Sequence, residues 1–464
     1  MSAEFKIVKE ETQDVVAENR GLHYEENLLW EKELSEHSGV DLPESEGLPL
    51  RTGDKARGSI GLPQLSEPQV LRHFVRMSTW NYSIDHGFFP LGSCTMKHNP
   101  RLNEKVARLP GFAHIHPMQP ESTVQGALEL MHELQHWLGE LTGLRGVCLT
   151  PSAGAHGELA GMMTIRRAHE HKGEAAKRKI VLTPDSSHGT NPATAVMCGF
   201  EVRSMPTKET GRLTLEVFKE ALYKTDPDGA DIAGMMVTNP NTCGLFENEI
   251  LEIADLLHEV GGYFYCDGAN FNALVGKVRP ADFGVDVMHI NLHKTFSTPH
   301  GGGGPGSGPI CCTEELAQFM PVPTVVKSGD GYTLEGESDR PETLGRLKAF
   351  QGQFGMFVRA LSYMKSHGAD GLLQVSEDAV LNANYILAEL SEDYYAPYKD
   401  GGYCMHEALI TDKIQDDNGV TTLDIAKALV EYGYHPMTVY FPLVLKGTML
   451  IEPTETESKD AIDR

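Results

Sequence analysis

Lys294 stands in the run Ile290-Asn-Leu-His-Lys294-Thr-Phe-Ser-Thr-Pro-His300, followed at once by Gly301 to Gly304. Upstream, Tyr263-Phe-Tyr-Cys-Asp267-Gly-Ala-Asn270 reads as a buried strand that ends in a carboxylate. A lysine amine can hold an aldehyde as a Schiff base, and a carboxylate can keep a pyridine nitrogen protonated. An apolar strand delivering Asp267, and a second delivering Lys294 beside small residues, therefore suit pyridoxal phosphate chemistry. Taken alone, Lys294 could be an exposed strand-end lysine and Asp267 a turn cap. Each gains meaning from the other.

Two further segments could complete such a site. Thr150-Pro-Ser152-Ala153-Gly154-Ala-His156-Gly-Glu158 precedes a helical run from Leu159 to His171. Small residues opening a helix make a phosphate cradle from free N–H groups and the helix dipole, and His156 could stack on a heteroaromatic ring. An ordinary helix start with a surface histidine fits that segment equally well. Asp185-Ser-Ser-His188-Gly-Thr-Asn191-Pro is a polar loop after a predicted strand, at the end of a sheet where ligands bind. A solvated turn is its bland alternative.

The elements that must hold these residues begin near Ser122, where Ser122-x-x-Gln125 reads as a capping box. Ala127, Leu130, Met131, Leu134, Leu138 and Leu141 then form one helical stripe. Strands are predicted at 179–184, 200–203, 232–238, 263–267 and 285–292, with helices at 214–224 and 248–260 between them. Apolar strands alternating with helices mean a mostly parallel sheet covered on both faces. Beyond Pro341 the pattern predicts long helices at 342–366 and 375–392, then strand-like runs at 405–411 and 437–451. The expected division is an N-terminal arm with site loops (1–120), a large cofactor-binding α/β domain (121–340) and a smaller α+β domain (341–464). The last domain is expected to be cut short within a final helix that Thr454-x-x-Glu457 would cap.

The bulk composition is that of a soluble globular protein. The chain has 464 residues, 40% hydrophobic and 23% charged, so more than one domain is expected. A net charge of −25 would repel phosphates and argues against nucleic acid or an anionic membrane as partner. No signal-peptide pattern opens the sequence, and no apolar stretch approaches the roughly 20 residues that span a bilayer. The eight cysteines include no C-x-x-C pair, which suits buried thiols in the cytoplasm rather than zinc or a disulfide framework.

Two literal motif matches are set aside. Gly301-x-Gly303-x-x-Gly306 fits a dinucleotide fingerprint, but prolines and a predicted strand follow where a helix is required. His132-Glu133-x-x-His136 fits a zinc protease motif, yet these residues lie on the polar face of their helix, opposite its core stripe. No metal site is expected.

The chain resembles the P-protein of the glycine cleavage system, glycine dehydrogenase (decarboxylating), and more narrowly subunit 2 of its bacterial two-subunit form. The resemblance runs through Pro90-Leu-Gly-Ser-Cys-Thr-Met-Lys97, Ser152 to Glu158, His188 to Ala193, Asp267 to Asn270, Asn291 to Phe296, Gly301 to Gly306, Gly352 to Arg359 and Glu452 to Glu457. It implies the fold of type I pyridoxal phosphate enzymes: a large domain with a mostly parallel sheet, plus a smaller C-terminal α+β domain. It implies that Lys294 binds the aldehyde, Asp267 the pyridine nitrogen and His156 the ring face. Ser152, Ala153 and Gly154 would take the phosphate, with His188, Asn191, Ala269 and His293 near the cofactor. Arg359 is a candidate for holding the substrate carboxylate. The activity implied is decarboxylation of glycine with transfer of the aminomethyl group to lipoylated H-protein. The implied assembly pairs this chain with a homologous subunit 1, as α2β2.

On the residues alone, another pyridoxal phosphate enzyme, such as an aminotransferase or a cysteine desulfurase, remains open. A non-catalytic scaffold has no use for Lys294, Asp267 and His156 together.

Overall fold

The computed structural model describes residues 26–32, 55, 61–207, 209–301 and 305–464. Gly303 of the dinucleotide-like pattern and most of residues 1–60 lie outside the described residues. The chain forms two compact units, one of residues 1–87 with 427–435 and one of residues 88–426 with 436–464.

The smaller unit contains a helix over Glu67–Ser78. Its Arg76 guanidinium grips the Glu26 carboxylate through Nε (2.7 Å) and Nη2 (2.8 Å), with Lys32 and His73 on the same carboxylate. Leu71, Phe74 and Val75 on this helix are exposed.

The larger unit is organised by a seven-stranded sheet in the order β1-β7-β6-β5-β4-β2-β3. The strands are β1 (Gly146–Cys148), β2 (Ile180–Pro184), β3 (Glu201–Met205), β4 (Ile232–Thr238), β5 (Tyr263–Gly268), β6 (Val287–Ile290) and β7 (Ile310–Cys312). All run parallel except β7, which is antiparallel to both of its neighbours. Every residue of β2, β4, β5 and β6 is buried, as continuous apolar strands require when helices cover both faces. Successive residues feed two separate cores. Met235, Val237, Phe264 and Cys266 join one cluster, while Met236 and Tyr265 join the other.

The helices are α1 (Gln125–Thr142), α2 (Gly154–His171), α3 (Thr190–Met197), α4 (Leu215–Leu222) and α5 (Ile250–Glu259); all follow the predicted alternation except α3, which begins within the segment read as a polar loop. The α1 stripe behaves as its spacing predicts. Ala127, Met131, Leu134 and Leu138 are buried, and Leu130 and Leu141 pack against the same core. Ser122 does not cap this helix. A short 3₁₀ turn at Glu121–Thr123 precedes it, and Gln125 instead gives its amide to the carbonyls of Glu121 and Tyr332.

The long helices are redrawn. The two predicted helices are present as two helical stretches of α6 (Phe354–Leu390) that meet at a kink at Gly368 (φ 64°, ψ −173°), with shifted bounds. Residues 342–353 are not helical. A side chain at φ 64° is disfavoured, so glycine lets the two helical stretches meet. Behind α6, β10 (Ala408–Thr411), β12 (Thr448–Ile451) and β11 (Thr438–Val439) form a three-stranded antiparallel sheet, and β8 (Thr324–Ser328) pairs with β9 (Gly331–Glu335). The last helix starts at Lys459, and Ser458, not Thr454, accepts the capping N–H, from Ala461 at 3.2 Å.

Strands β5 and β6 leave no room for a side chain just past Asp267. A Cβ added at Gly268 would lie 2.0 Å from the His289 carbonyl oxygen. Gly268→Ala is expected to force the two strands apart and cost about 1–3 kcal/mol. Denaturant unfolding would read this as a lower midpoint at unchanged slope.

Candidate active site

Three neighbouring strands end in polar side chains. Register places Thr238 of β4 beside Asp267 of β5, and Asp267 beside His289 of β6. These C-terminal strand ends open into a cavity of about 170 Å³, lined also by Ser93, Gly154, Ala155, Glu158, His188, Ala269, Asn291 and Lys294. That is where open α/β sheets bind ligands. A larger cavity of about 370 Å³ lies elsewhere, lined chiefly by apolar groups including Phe112, Leu128, Met131 and Phe354. Size favours the second cavity, but the convergent charges favour the first.

Lys294 does not close a strand. Strand β6 stops at Ile290, and Lys294 sits on a single helical turn, Leu292–Thr295. The side chain is buried, and its Nζ donates to the Ser93 carbonyl at 2.6 Å.

Asp267 is buried and held from several sides. Its Oδ2 accepts from Asn191 Nδ2 at 3.0 Å, and its Oδ1 from the Ala269 N–H at 2.9 Å. His289 Nε2 lies 3.3 Å from Oδ1, while His289 Nδ1 meets the Tyr265 hydroxyl at 2.7 Å. Burial alone would push this carboxyl up. The His289 ring, the Asn191 amide, the Ala269 N–H and the Lys294 ammonium outweigh it and hold Asp267 below the usual carboxylate range. Burial pushes the His289 imidazole down, so the ring is neutral. It then donates from Nε2 toward Asp267 and accepts from Tyr265 at Nδ1.

A second carboxylate, Glu158, shares the Asn191 amide. Asn191 Nδ2 also donates to Glu158 Oε2 at 3.0 Å, and Thr190 Oγ1 donates to Oε1 at 2.8 Å. Burial and the Asp267 charge raise Glu158 to about 7, against its hydrogen bonds from Asn191, Thr190 and Thr194. Two carboxylates joined by one amide thus divide their roles: Asp267 keeps its charge and Glu158 takes the proton.

The cradle segment has the predicted form. Ala153 precedes α2, and the helix opens at Gly154. A Cβ at Gly154 would lie 2.7 Å from Asn291 Oδ1, so a side chain there would displace the Asn291 amide. Lys348 Nζ donates to Ser152 Oγ at 2.8 Å and brings a cation to the cradle. His156 accepts the Ser152 N–H at Nδ1 (3.1 Å), and burial lowers its pKa, with Lys348 adding to the effect.

The structure brings Lys294, Asp267, Asn191, Ala269, His188 and Gly154 to this one region. His188 bonds Thr190 Oγ1 at 2.8 Å and lines the cavity. His293 faces the His300 ring and is pushed down to about 3 by burial, the neighbouring His300 and Lys294. Arg359 is elsewhere: its guanidinium forms a bidentate pair with Glu104 at 2.6 and 3.0 Å and does not line the cavity. The zincin-like residues are likewise engaged, Glu133 with Lys365 (2.6 Å) and His132 against the Tyr332 ring. Sequence reasoning missed Glu158, His289, Ser93 and Lys348. Glu158 was visible beside the cradle, but nothing in the sequence joined it to Asn191.

The donor set fits pyridoxal 5'-phosphate. Thr238 Oγ1, Asn291 Oδ1 and Ser93 Oγ line the cavity and are buried without a hydrogen-bond partner, as is Asn191 Oδ1 nearby. Asp267 supplies an ionised carboxylate, Lys294 an amine, and the α2 N-terminus with Lys348 an anion cradle.

The architecture is that of the fold-type-I pyridoxal phosphate enzymes. A glycine decarboxylase (P-protein) of the glycine cleavage system, solved in inhibitor-bound form, superposes with a TM-score of 0.71 at 21% identity, over 91% of this chain and 89% of that one. Residues 45–339 match the glycine cleavage system P-protein family, and residues 375–464 match the glycine dehydrogenase C-terminal domain. The chain belongs to the glycine cleavage system P-protein family. A probable glycine dehydrogenase (decarboxylating) subunit 2 of Caulobacter vibrioides is 58% identical over 450 residues, 96% of this chain and 84% of that protein. One of Listeria monocytogenes is 49% identical over 442 residues, 94% and 88% respectively.

Glu158 sets a pH dependence. Its folded pKa lies above the unfolded carboxylate value, so the folded chain holds the extra proton between roughly pH 4.5 and 7. Stability therefore falls as pH rises through that window, at up to about 1.4 kcal/mol per pH unit, and the loss is complete above it. Glu158→Gln is expected to flatten this fall in denaturant titrations of the cofactor-free chain between pH 5 and 8.

Proposed function

We propose that this chain is the cofactor-bearing subunit 2 of a two-subunit P-protein, which decarboxylates glycine and passes the aminomethyl group to the lipoyl arm of H-protein. The observation that carries this reading is the convergence of the Lys294 amine and the ionised, buried Asp267 carboxylate on one cavity beside a helix N-terminus.

Pyridoxal 5'-phosphate, when bound, supplies an aldehyde open to amines and a ring that withdraws electrons. Lys294 would hold the aldehyde end and afterwards exchange protons with the substrate. Asp267 would keep the ring nitrogen protonated, with Asn191 and His289 preventing its carboxylate from rotating. Ser152, Ala153, Gly154 and Lys348 would bind the phosphate, and His156 the ring face. His188, Ala269 and His293 would complete the walls. Glu158, protonated near neutrality, keeps a second full charge away from Asp267. The electron pair left by departing CO2 ends on the lipoyl disulfide, so that one sulfur carries the aminomethyl group and the other becomes a thiol. The exposed Leu71, Phe74 and Val75 support a partner chain, which we read as a homologous subunit 1 in an α2β2 assembly. Among the described residues no helix is long and apolar enough to cross a membrane. A cytoplasmic location is part of the proposal, from the reduced-thiol cysteine pattern of the sequence.

The test uses the purified chain with and without its subunit 1, loaded with pyridoxal 5'-phosphate. Borohydride should fix the cofactor on Lys294 in peptide maps. Labelled CO2 should be released from carboxyl-labelled glycine when lipoylated H-protein is present. Lys294→Ala is expected to lower that release by about 10³-fold or more, and Asp267→Asn by about 10²-fold. Cofactor fixed on Lys294 without any CO2 release would sink the glycine reading and leave a different amino-acid substrate.

A further inference from the structure

The loop that meets Lys294 is tightly constrained. Gly92 donates its N–H to the Leu450 carbonyl at 3.2 Å, and a Cβ there would lie 2.7 Å from that oxygen. The next residues include two with left-handed backbone, Ser93 (φ 62°) and Thr95 (φ 45°). A non-glycine residue held there costs on the order of 1 kcal/mol or more, and persists only when its surroundings fix it. Each of these two residues gives its N–H to a carboxylate. Ser93 donates to Glu407 Oε2 at 2.7 Å, and Thr95 to Glu452 Oε2 at 2.8 Å. Both glutamates are completely buried, and His406 Nε2 lies 3.7 Å from Glu452 Oε1.

Two adjacent buried acids are an expensive way to secure a loop, since burying even one carboxylate opposes its charge. Burial, with the Glu452 carboxylate alongside, pushes Glu407 far above the usual carboxylate range. What the loop carries explains the arrangement: the Ser93 carbonyl is the acceptor for Lys294 Nζ. A continuous path of hydrogen bonds thus runs from the Glu407 carboxyl, through the Ser93 peptide groups, to the Lys294 amine. The same loop is anchored downstream, where the buried Lys97 pairs with Glu455 (2.7 Å) and donates to the carbonyl of Thr295, the residue after Lys294 (2.9 Å).

We propose that Glu407 and Glu452 are positioning residues, which clamp the Ser93–Thr95 backbone so that the Ser93 carbonyl holds the Lys294 amine where it meets the cofactor aldehyde. The proposal rests on the reading of Lys294 given above. It assigns to the C-terminal part of the chain a role in cofactor capture without contact to the cofactor.

The experiment measures the rate at which the cofactor-stripped full chain, with its partner subunit, captures pyridoxal 5'-phosphate, by visible absorbance and borohydride trapping at Lys294. Circular dichroism and thermal melting check that each variant is folded. Glu407→Ala and Glu452→Ala are expected to slow capture about tenfold or more, since small displacements of a reacting group carry large rate penalties. Glu407→Gln, the uncharged isostere that still accepts the Ser93 N–H, is expected to stay within about threefold of the parent chain. If Glu407→Ala fails to fold, Glu452→Ala tests the same clamp. Parent-like capture in the folded alanine variants overturns the proposal, as does a Glu407→Gln variant as slow as Glu407→Ala. Trapping that persists in Lys294→Ala would instead overturn the reading of Lys294 itself.

Discussion

A carboxylate that is wholly buried and yet ionised sets the terms for the rest of this site. Taking Asp267 out of water is unfavourable, and the protein offsets that with the Asn191 amide, the Ala269 N–H and the neutral His289 ring. Each of those groups is fixed in turn. Asn191 stands on the first turn of α3, His289 is aligned by the Tyr265 hydroxyl, and the Ala269 N–H belongs to the turn that ends β5. The carboxylate keeps its charge because three separate elements converge on it. A cationic ring nitrogen is the ligand such an arrangement suits best.

Glu158 shows how narrow the margin is. It lies within reach of the same Asn191 amide and could compete for the charge. Burial and the neighbouring Asp267 charge outweigh its hydrogen bonds from Asn191, Thr190 and Thr194, and make it the easier group to protonate. One amide therefore serves two acids, and the difference in their surroundings decides which remains an anion. The Glu407 and Glu452 pair repeats the pattern behind Ser93, where burial again favours a neutral member.

The parts of this architecture that were legible in the sequence depend on local order. An apolar run such as Tyr263–Cys266 closing in Asp267 can only be a buried strand with a polar end, and the α1 stripe follows from helical spacing. Small residues before Leu159 marked the start of α2 for the same reason. What could not be read depends on pairing at a distance. The contact of Asp267 with His289 needs the register of β5 on β6, and that of Ser93 with Glu407 joins residues 314 positions apart. Several local expectations also failed, two of them for one reason. Ser122 lost its capping role to a 3₁₀ turn, and residues 342–353 have helical composition but no helix. In both places tertiary contacts of the neighbouring chain outweigh weak intrinsic preference. Arg359 had the right chemistry for a carboxylate, but it found one within the chain, on Glu104.

The interlocking of Gly154 with Asn291 bears on how such a site could evolve or be transplanted. The cradle and the lysine-bearing turn are far apart in sequence, but a Cβ at Gly154 would strike the Asn291 amide, and one at Gly308 would lie 2.0 Å from the Ala153 carbonyl oxygen. The two halves are therefore one piece of sculpture cast in separate segments. A recombination crossover between residues 154 and 291 that joined divergent parents would mismatch these surfaces, even if every catalytic side chain were retained. Chimeras and grafts should keep both segments from the same parent.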